Sequence, residues 1–292
     1  GFFRIWEIPT HSVRGLLGRF VPALPYKVGE IKAAGLPFDR DFMTRPFVSD
    51  ALLARLFGDR AEWVRRTFLT HSHYDIWHFR PELATQRAAD DFLRREYRGR
   101  PDEAQIREGL FALLENVLFI EDPLQREHYH PRIEGFRTFV FERLNADERK
   151  AYERLHHVFY YERHNEFWRA SAMEKLPALS NATAMLPCGE DLGMVPDCVP
   201  GVMEQLQLLT LEIERMPKAF GREFADVEAY PRRSVCSTGT HDMATLRGWW
   251  AEDAARSARY FFEVLGHGGQ APAGAPAWLC EEVVRRHVNS PS

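Results

Sequence analysis

Downstream of Met185 the chain alternates short apolar runs with stretches of helical spacing, and this alternation constrains the fold more than any other feature. Extended runs are expected at 185–189, 208–215 and 233–238, and helices at 197–206, 245–265 and 278–288. Such an order implies parallel strands joined by crossover helices, and so an α/β fold. Two of the runs end in a carboxylate with glycine close by: Met185-Leu-Pro-Cys-Gly-Glu-Asp-Leu-Gly193 and Ser237-Thr-Gly-Thr-His-Asp-Met-Ala-Thr245. A (β/α)8 barrel presents catalytic acids in this way, because its active site lies at the C-terminal ends of the strands.

Glu190 and Asp242 are about 52 positions apart, room for two βα units of ~30 residues each. They are therefore expected on alternate strands facing one pocket, and carboxylates converging on a pocket suit glycosidic-bond chemistry. Only three barrel-type strands are recognisable here, too few to close a barrel. The expected fold is a partial (β/α)8 TIM barrel, its C-terminal half with strands about 5–7, over 185–292. The stretch upstream is several times longer than one βα unit, which calls for a long, mostly helical insertion at about 25–175. Together they make 1–292 a partial catalytic barrel domain.

Proline after Ile8, Val21 and Leu24 makes residues 8–40 read as loop with short extended pieces. Ser49-Asp50 can cap a helix through Phe57, ended by Gly58. A second helix is expected over 85–97. In a third, Pro101 takes a first-turn position and Ile106, Leu110, Leu113 and Leu114 share an apolar face. Residues 117–120 form a strand candidate or a helix continuation, 145–176 read as helical, and the glycine-rich 266–274 reads as a flexible loop.

The net charge of -4 offers no basic excess to attract a nucleic-acid backbone, so that partner class is not expected. Charge or proline interrupts every apolar run before it could span a bilayer, so no membrane partner is expected either. The beginning Gly-Phe-Phe-Arg-Ile-Trp-Glu has neither the basic nor the apolar region of a signal peptide and no initiator methionine. The chain is accordingly expected to be a piece of a longer protein. Cys188, Cys198, Cys236 and Cys280 show no dense pattern, which suits reduced thiols in a cytoplasmic protein.

Each candidate residue also has a plainer reading. Glu190-Asp191 is the kind of pair found on solvated surfaces, whereas a proton donor needs a carboxyl partly buried in a cleft. Asp242 either caps the following helix or holds sugar hydroxyls and favours a cationic ring, with His241 donating to another hydroxyl. Trp6 either stacks on a sugar ring or anchors its loop. A rival from a different class is a metal-dependent hydrolase built on Thr70-His71-Ser72-His73-Tyr74-Asp75, although Ile76 stands where the metal-loop pattern needs another histidine. His128, His130, His156, His157 and His164 are read as surface or core-edge residues.

At Glu190 and Asp242 the sequence resembles the 4-α-glucanotransferases, the amylomaltases or disproportionating enzymes of glycoside hydrolase family 77. Gly1-Phe-Phe-Arg-Ile-Trp-Glu-Ile-Pro9 resembles the segment after that family's nucleophile. Gly189-Glu-Asp-Leu-Gly193 resembles its acid/base motif, and Thr240-His-Asp242 its third-carboxylate motif. Arg4-Ile-Trp-Glu, Leu36-Pro-Phe-Asp-Arg-Asp41, Tyr129-His-Pro-Arg132 and Leu246-Arg-Gly-Trp-Trp250 resemble its longer, plant-cytosolic and Bacteroides-type branch, whose catalytic domain carries a long insertion.

The resemblance implies retaining transfer between maltooligosaccharides or other α-1,4-glucans through a covalent glucosyl-enzyme. Glu190 would be the acid/base, Asp242 the transition-state stabiliser and His241 a substrate contact, with no metal and no organic cofactor; Trp6 joins His241 as a candidate substrate contact on the stacking reading above. The family's nucleophile lies in an Arg-x-Asp-His motif that would precede Gly1, so the isolated chain is expected to be inactive. Met243 and Ala244 stand where many members have Asn and Asp. A non-catalytic glucan-binding module is the alternative reading, and oligomeric state is left open.

Overall fold

The computed structural model describes residues 3–292, which divide into two units, 3–165 and 166–292. In the first, β1 (Ile5–Glu7) pairs antiparallel with β2 (Arg19–Val21), setting Trp6 opposite Phe20. β3 (Tyr26–Lys27), α1 (Val28–Ala33), α2 (Arg40–Thr44), β4 (Val48–Ser49), α3 (Asp50–Phe57), α4 (Ala61–Phe68), β5 (Leu69–His73) and β6 (Ile76–Phe79) follow. The unit continues through α5 (Gln86–Glu96), α6 (Glu103–Leu114), β7 (Phe119–Glu121), β8 (His128–Pro131), α7 (Phe139–Glu142) and α8 (Ala146–His157). Its two three-stranded sheets, β4-β6-β5 and β3-β8-β7, are antiparallel.

Local chemistry explains where these helices begin and end. Ser49 Oγ accepts from the Leu52 N–H at 3.3 Å, and α3 stops at Gly58, whose φ of +52° suits a residue without Cβ. Asn145 opens α8 with a capping box: its Oδ1 accepts from the Glu148 N–H, and Glu148 Oε2 accepts from the Asn145 N–H. The apolar face expected on α6 is buried at Ile106, Leu110, Leu113 and Leu114, packed with Leu53 and Phe57 of α3. Burial of each such side chain contributes about 1.5–3 kcal/mol.

Several expectations need correction. Residues 8–40 contain a helix, α1, although Gly29 weakens its helical signal; Glu30 Oε2 accepts from the Lys27 N–H at 2.9 Å to start it. Pro101 precedes the Asp102 cap of α6 instead of sitting in its first turn. The helical stretch at 145–176 is interrupted by a π-turn at Val158–Glu162, and α9 (Asn165–Asn181) runs on past it with Pro177 inside.

In the second unit, α10 (Cys198–Gln205) leads to β9 (Thr210–Ile213), and β10 (Ser234–Ser237) pairs parallel with β9 from Thr210↔Ser234 to Ile213↔Ser237. The expected strand at 185–189 is reduced to one parallel bridge, Cys188↔Leu209. Pro187 has no N–H to give, so pairing rests on the Leu209 N–H donating to Pro187 O and the Gly189 N–H donating to Leu209 O.

The helix expected at 245–265 is broken into α11 (Leu246–Glu252) and α12 (Ala254–Arg259), followed by a π-turn at Tyr260–Val264. Asp253 causes the break, because its side chain caps α12 through the Arg256 N–H at 2.9 Å. α13 (Ala277–Val288) closes the unit, whose core gathers Trp249, Trp250, Tyr260, Phe261, Leu279 and Val283. The stretch 266–274, expected to be flexible, is tied down: Trp250 Nε1 donates to Pro272 O, and His267 pairs with Glu282 at 2.8 Å. The fold is mixed α/β, and no sheet closes among the described residues.

Candidate active site

Three parallel extended segments order the second unit's candidate residues: Cys188, then β9, then β10. Glu190 follows the first and Asp242 follows the third, so their loops leave at carboxyl ends on either side of β9. Glu190 is exposed, where a proton donor was expected to be partly buried. Its neighbour Asp191 is the buried one. Asp191 Oδ1 accepts from the Leu211 N–H at 2.9 Å, and Oδ2 accepts from Lys218 Nζ at 2.8 Å. Lys218 Nζ also donates to Glu212 Oε1 at 2.8 Å, so one ammonium joins the Glu190 loop to β9.

Asp242 and His241 adjoin at 3.2 Å between Oδ2 and Nε2, with side chains 74% and 90% exposed. Asp242 does not cap the next helix; Thr245 does, accepting from the Gly248 N–H at 3.2 Å. The Asp242 N–H donates to Thr240 Oγ1 at 3.3 Å, which folds the loop onto itself. Beside this loop stands Arg215, one position beyond the buried Glu214, donating from Nε to Thr238 O at 2.8 Å. Burial pulls the Arg215 guanidinium below its ordinary value. Sequence reasoning missed Arg215 and Asp191, whose partners lie 20 or more positions away.

Glu214 is buried against the Tyr260 hydroxyl, Arg286 and His287, which ties α13 to the end of β9. Burial, then the Glu214 charge, push the Tyr260 hydroxyl far above its usual range, so it stays a donor. This network positions β9 from within the unit, with the Arg286 side chain partly exposed.

In the first unit, Trp6 Nε1 donates to Gly15 O at 3.0 Å and the ring meets Phe20 edge-on at 5.1 Å. A Cβ on Gly18 would fall 2.3 Å from that Nε1, so glycine is what lets the two strands close over the indole. A cavity of about 510 Å³ nearby is lined by Ile8, His11, Arg19, Gln86, Phe119 and Glu121 among others, but by neither Glu190 nor Asp242.

The metal-loop rival fails on geometry. His71 and His73 lie on β5 on either side of a register shift, with His71 Nε2 on Tyr74 O and His73 Nδ1 on Ser72 Oγ. Among the described residues no three His, Cys, Asp or Glu side chains form a metal-ligand group. His130 and His164, read from the sequence as surface or core-edge residues, are fully buried, each 1% exposed. His130 Nε2 meets Asp122 Oδ2 at 2.8 Å, and burial lowers its pKa despite that partner. Among the described residues no helix is long and apolar enough to cross a membrane.

The sequence matches one family and one rice relative along its whole length. The family profile described as 4-alpha-glucanotransferase matches residues 1–292. The chain is 34% identical over 295 residues to "4-alpha-glucanotransferase DPE2" of Oryza sativa subsp. japonica, covering all of this chain and 31% of that protein. A "4-alpha-glucanotransferase" of Chlamydia muridarum is 39% identical over 93 residues, 31% of this chain and 18% of its own length. One of Haemophilus influenzae is 36% identical over 62 residues, 21% of this chain and 9% of its own. No solved structure matches. The chain spans under a third of the rice protein's length, and it belongs to the 4-alpha-glucanotransferase family.

Proposed function

We propose that the chain carries the acid/base and third carboxylate of a retaining 4-α-glucanotransferase acting on maltooligosaccharides and related α-1,4-glucans. The observation that carries this reading is the pair of loops bearing Glu190 and Asp242, which leave the carboxyl ends of parallel segments flanking β9 in a chain of this family. The same order supports reading 185–292 as barrel strands and helices, about the fifth to seventh strands of a (β/α)8 barrel. Residues at about 25–175 would then be an insertion within the catalytic domain. The four free cysteines suit the cytoplasmic setting we assign.

In this mechanism the Glu190 carboxyl gives its proton to the glycosidic oxygen as the C1–O bond breaks and an aspartate nucleophile takes C1. The motif resemblance assigns that nucleophile to no residue of 1–292. Glu190, now a carboxylate, takes the proton of an acceptor 4-hydroxyl as that oxygen displaces the aspartate, and the configuration at C1 is retained. Asp242 stabilises the positive charge that develops on the ring in the transition state of each step. His241 donates to a sugar hydroxyl. Trp6, whose Nε1 is committed to Gly15 O, is the glucan contact this reading assigns in the first unit. The steps need neither metal nor organic cofactor.

The test uses the full-length protein and maltotriose. Glu190→Gln and Asp242→Asn are each expected to lower kcat by about 10²- to 10⁴-fold. Wild-type turnover in either variant would overturn the role given to that residue.

A further inference from the structure

His241 and Asp242 reach solvent, with side chains 90% and 74% exposed, so little packs against them to set their direction. Their placement must come from the backbone that carries them. Inside the loop the bonds are local: Ser237 Oγ donates to Gly239 O, and the N–H groups of Asp242 and Met243 donate to Thr240. Local bonds fold a loop but do not fix where it stands. Arg215 does that from outside, donating from Nε to Thr238 O at 2.8 Å and from Nη2 to Ala244 O at 3.1 Å. Those carbonyls lie on either side of 239–243, so a single guanidinium joins both ends of the segment.

The guanidinium is itself held. It lies over the Trp249 ring, 5.2 Å from its centroid, and Trp249 is buried in the unit's core. Gly239 completes the fit, because a Cβ there would stand 2.4 Å from Arg215 Nη2. Only a planar fork reaches both carbonyls from one stem; the ammonium of lysine is a point charge on a flexible chain.

We infer that Arg215 is a positioning residue: it clamps the His241–Asp242 loop of β10 from the end of β9 and holds it in the conformation used on the glucan. The catalytic half of this statement rests on the proposed glucan-transfer role of Asp242 and His241, whereas the clamp itself does not.

Two measurements on the full-length protein separate those halves. Amide hydrogen exchange across 239–244 should quicken in Arg215→Met, less so in Arg215→Lys, and also in Gly239→Ala, while exchange in α13 stays as in wild type. Maltotriose disproportionation by Arg215→Met should lose about 10- to 100-fold in kcat with KM within about twofold, and Arg215→Lys should recover part of it. Unchanged exchange across 239–244 in Arg215→Met overturns the clamp. Quickened exchange with wild-type kcat overturns its catalytic meaning. If Asp242→Asn also retains wild-type kcat, the glucan-transfer reading has failed while the clamp stands on exchange alone.

Discussion

The Oδ1 atom of Asp191 accepts a hydrogen bond from the Leu211 N–H at 2.9 Å, so the loop that carries Glu190 is fastened to β9 by the residue next to it. Lys218 adds a charge-assisted bond to the other oxygen, Oδ2, at 2.8 Å. Asp191→Ala leaves a backbone N–H and an ammonium without this partner, and should destabilise the protein by about 2–4 kcal/mol. Asp191→Asn keeps an oxygen for Leu211 and should cost less than Asp191→Ala. Urea unfolding of the three proteins ranks them, and equal midpoints for wild type and Asp191→Ala would refute the fastening. On the role proposed for Glu190, the full-length protein carrying Asp191→Ala should lose glucan transfer more steeply than stability at assay temperature predicts, since Glu190 is displaced with the loop.

Gly109 lies inside α6, where alanine would ordinarily be favoured by about 1 kcal/mol. A Cβ there would stand 2.4 Å from Phe57 Cε1 and 2.7 Å from Cζ, and the Phe57 ring is buried in the core. Overpacking of about 1–3 kcal/mol therefore outweighs propensity, and Gly109→Ala should lower thermal stability. In a Phe57→Leu background the ring is gone and the sign should reverse. Calorimetry of this double-mutant cycle checks both statements; a higher Tm for Gly109→Ala alone would show that the ring yields.

What was legible in the sequence was local. Ser49, Thr85 and Thr245 announce helix starts because a capping side chain acts on an N–H three residues on. The apolar runs of β9 and β10 were visible, as were the glycine-flanked carboxylates after Cys188 and Ser237. What escaped depends on contacts across many positions. Arg215 reads as one more charge until Thr238 and Ala244 fold back on it. Asp191 looks like the idle member of a Glu-Asp pair until β9 supplies Leu211. The strand expected at 185–189 shrinks to one bridge because Pro187, plain in the sequence, withholds a donor that the apolar run around it does not replace. The helix at 245–265 was overestimated because Asp253 matches a solvated helical face as well as a cap.

The buried histidines give the first unit a defined pH dependence. His164 is 1% exposed, with Nδ1 on Phe159 O at 2.8 Å, and burial pushes its pKa down to about 4. Unfolded, it titrates near 6.5. The folded state thus favours the neutral ring. Its contribution, about 3 kcal/mol, is fully present above the unfolded value and is lost as pH falls from about 6.5 towards 4. His130 and His156, lowered chiefly by burial, act in the same direction. Asp122 shifts the opposite charge type: burial raises it, but His130 and the N–H groups of Leu124 and Gln125 outweigh that and hold it low. Its contribution is retained through the histidine window and lost only at more acid pH, below the ordinary carboxylate range. Unfolding free energy measured from pH 7 to 5 should therefore decline in wild type. His164→Gln, which has no proton to gain there, should decline less, by about 2 kcal/mol over the interval. Parallel curves for the two proteins would mean that His164 is already solvated and charged in the folded state.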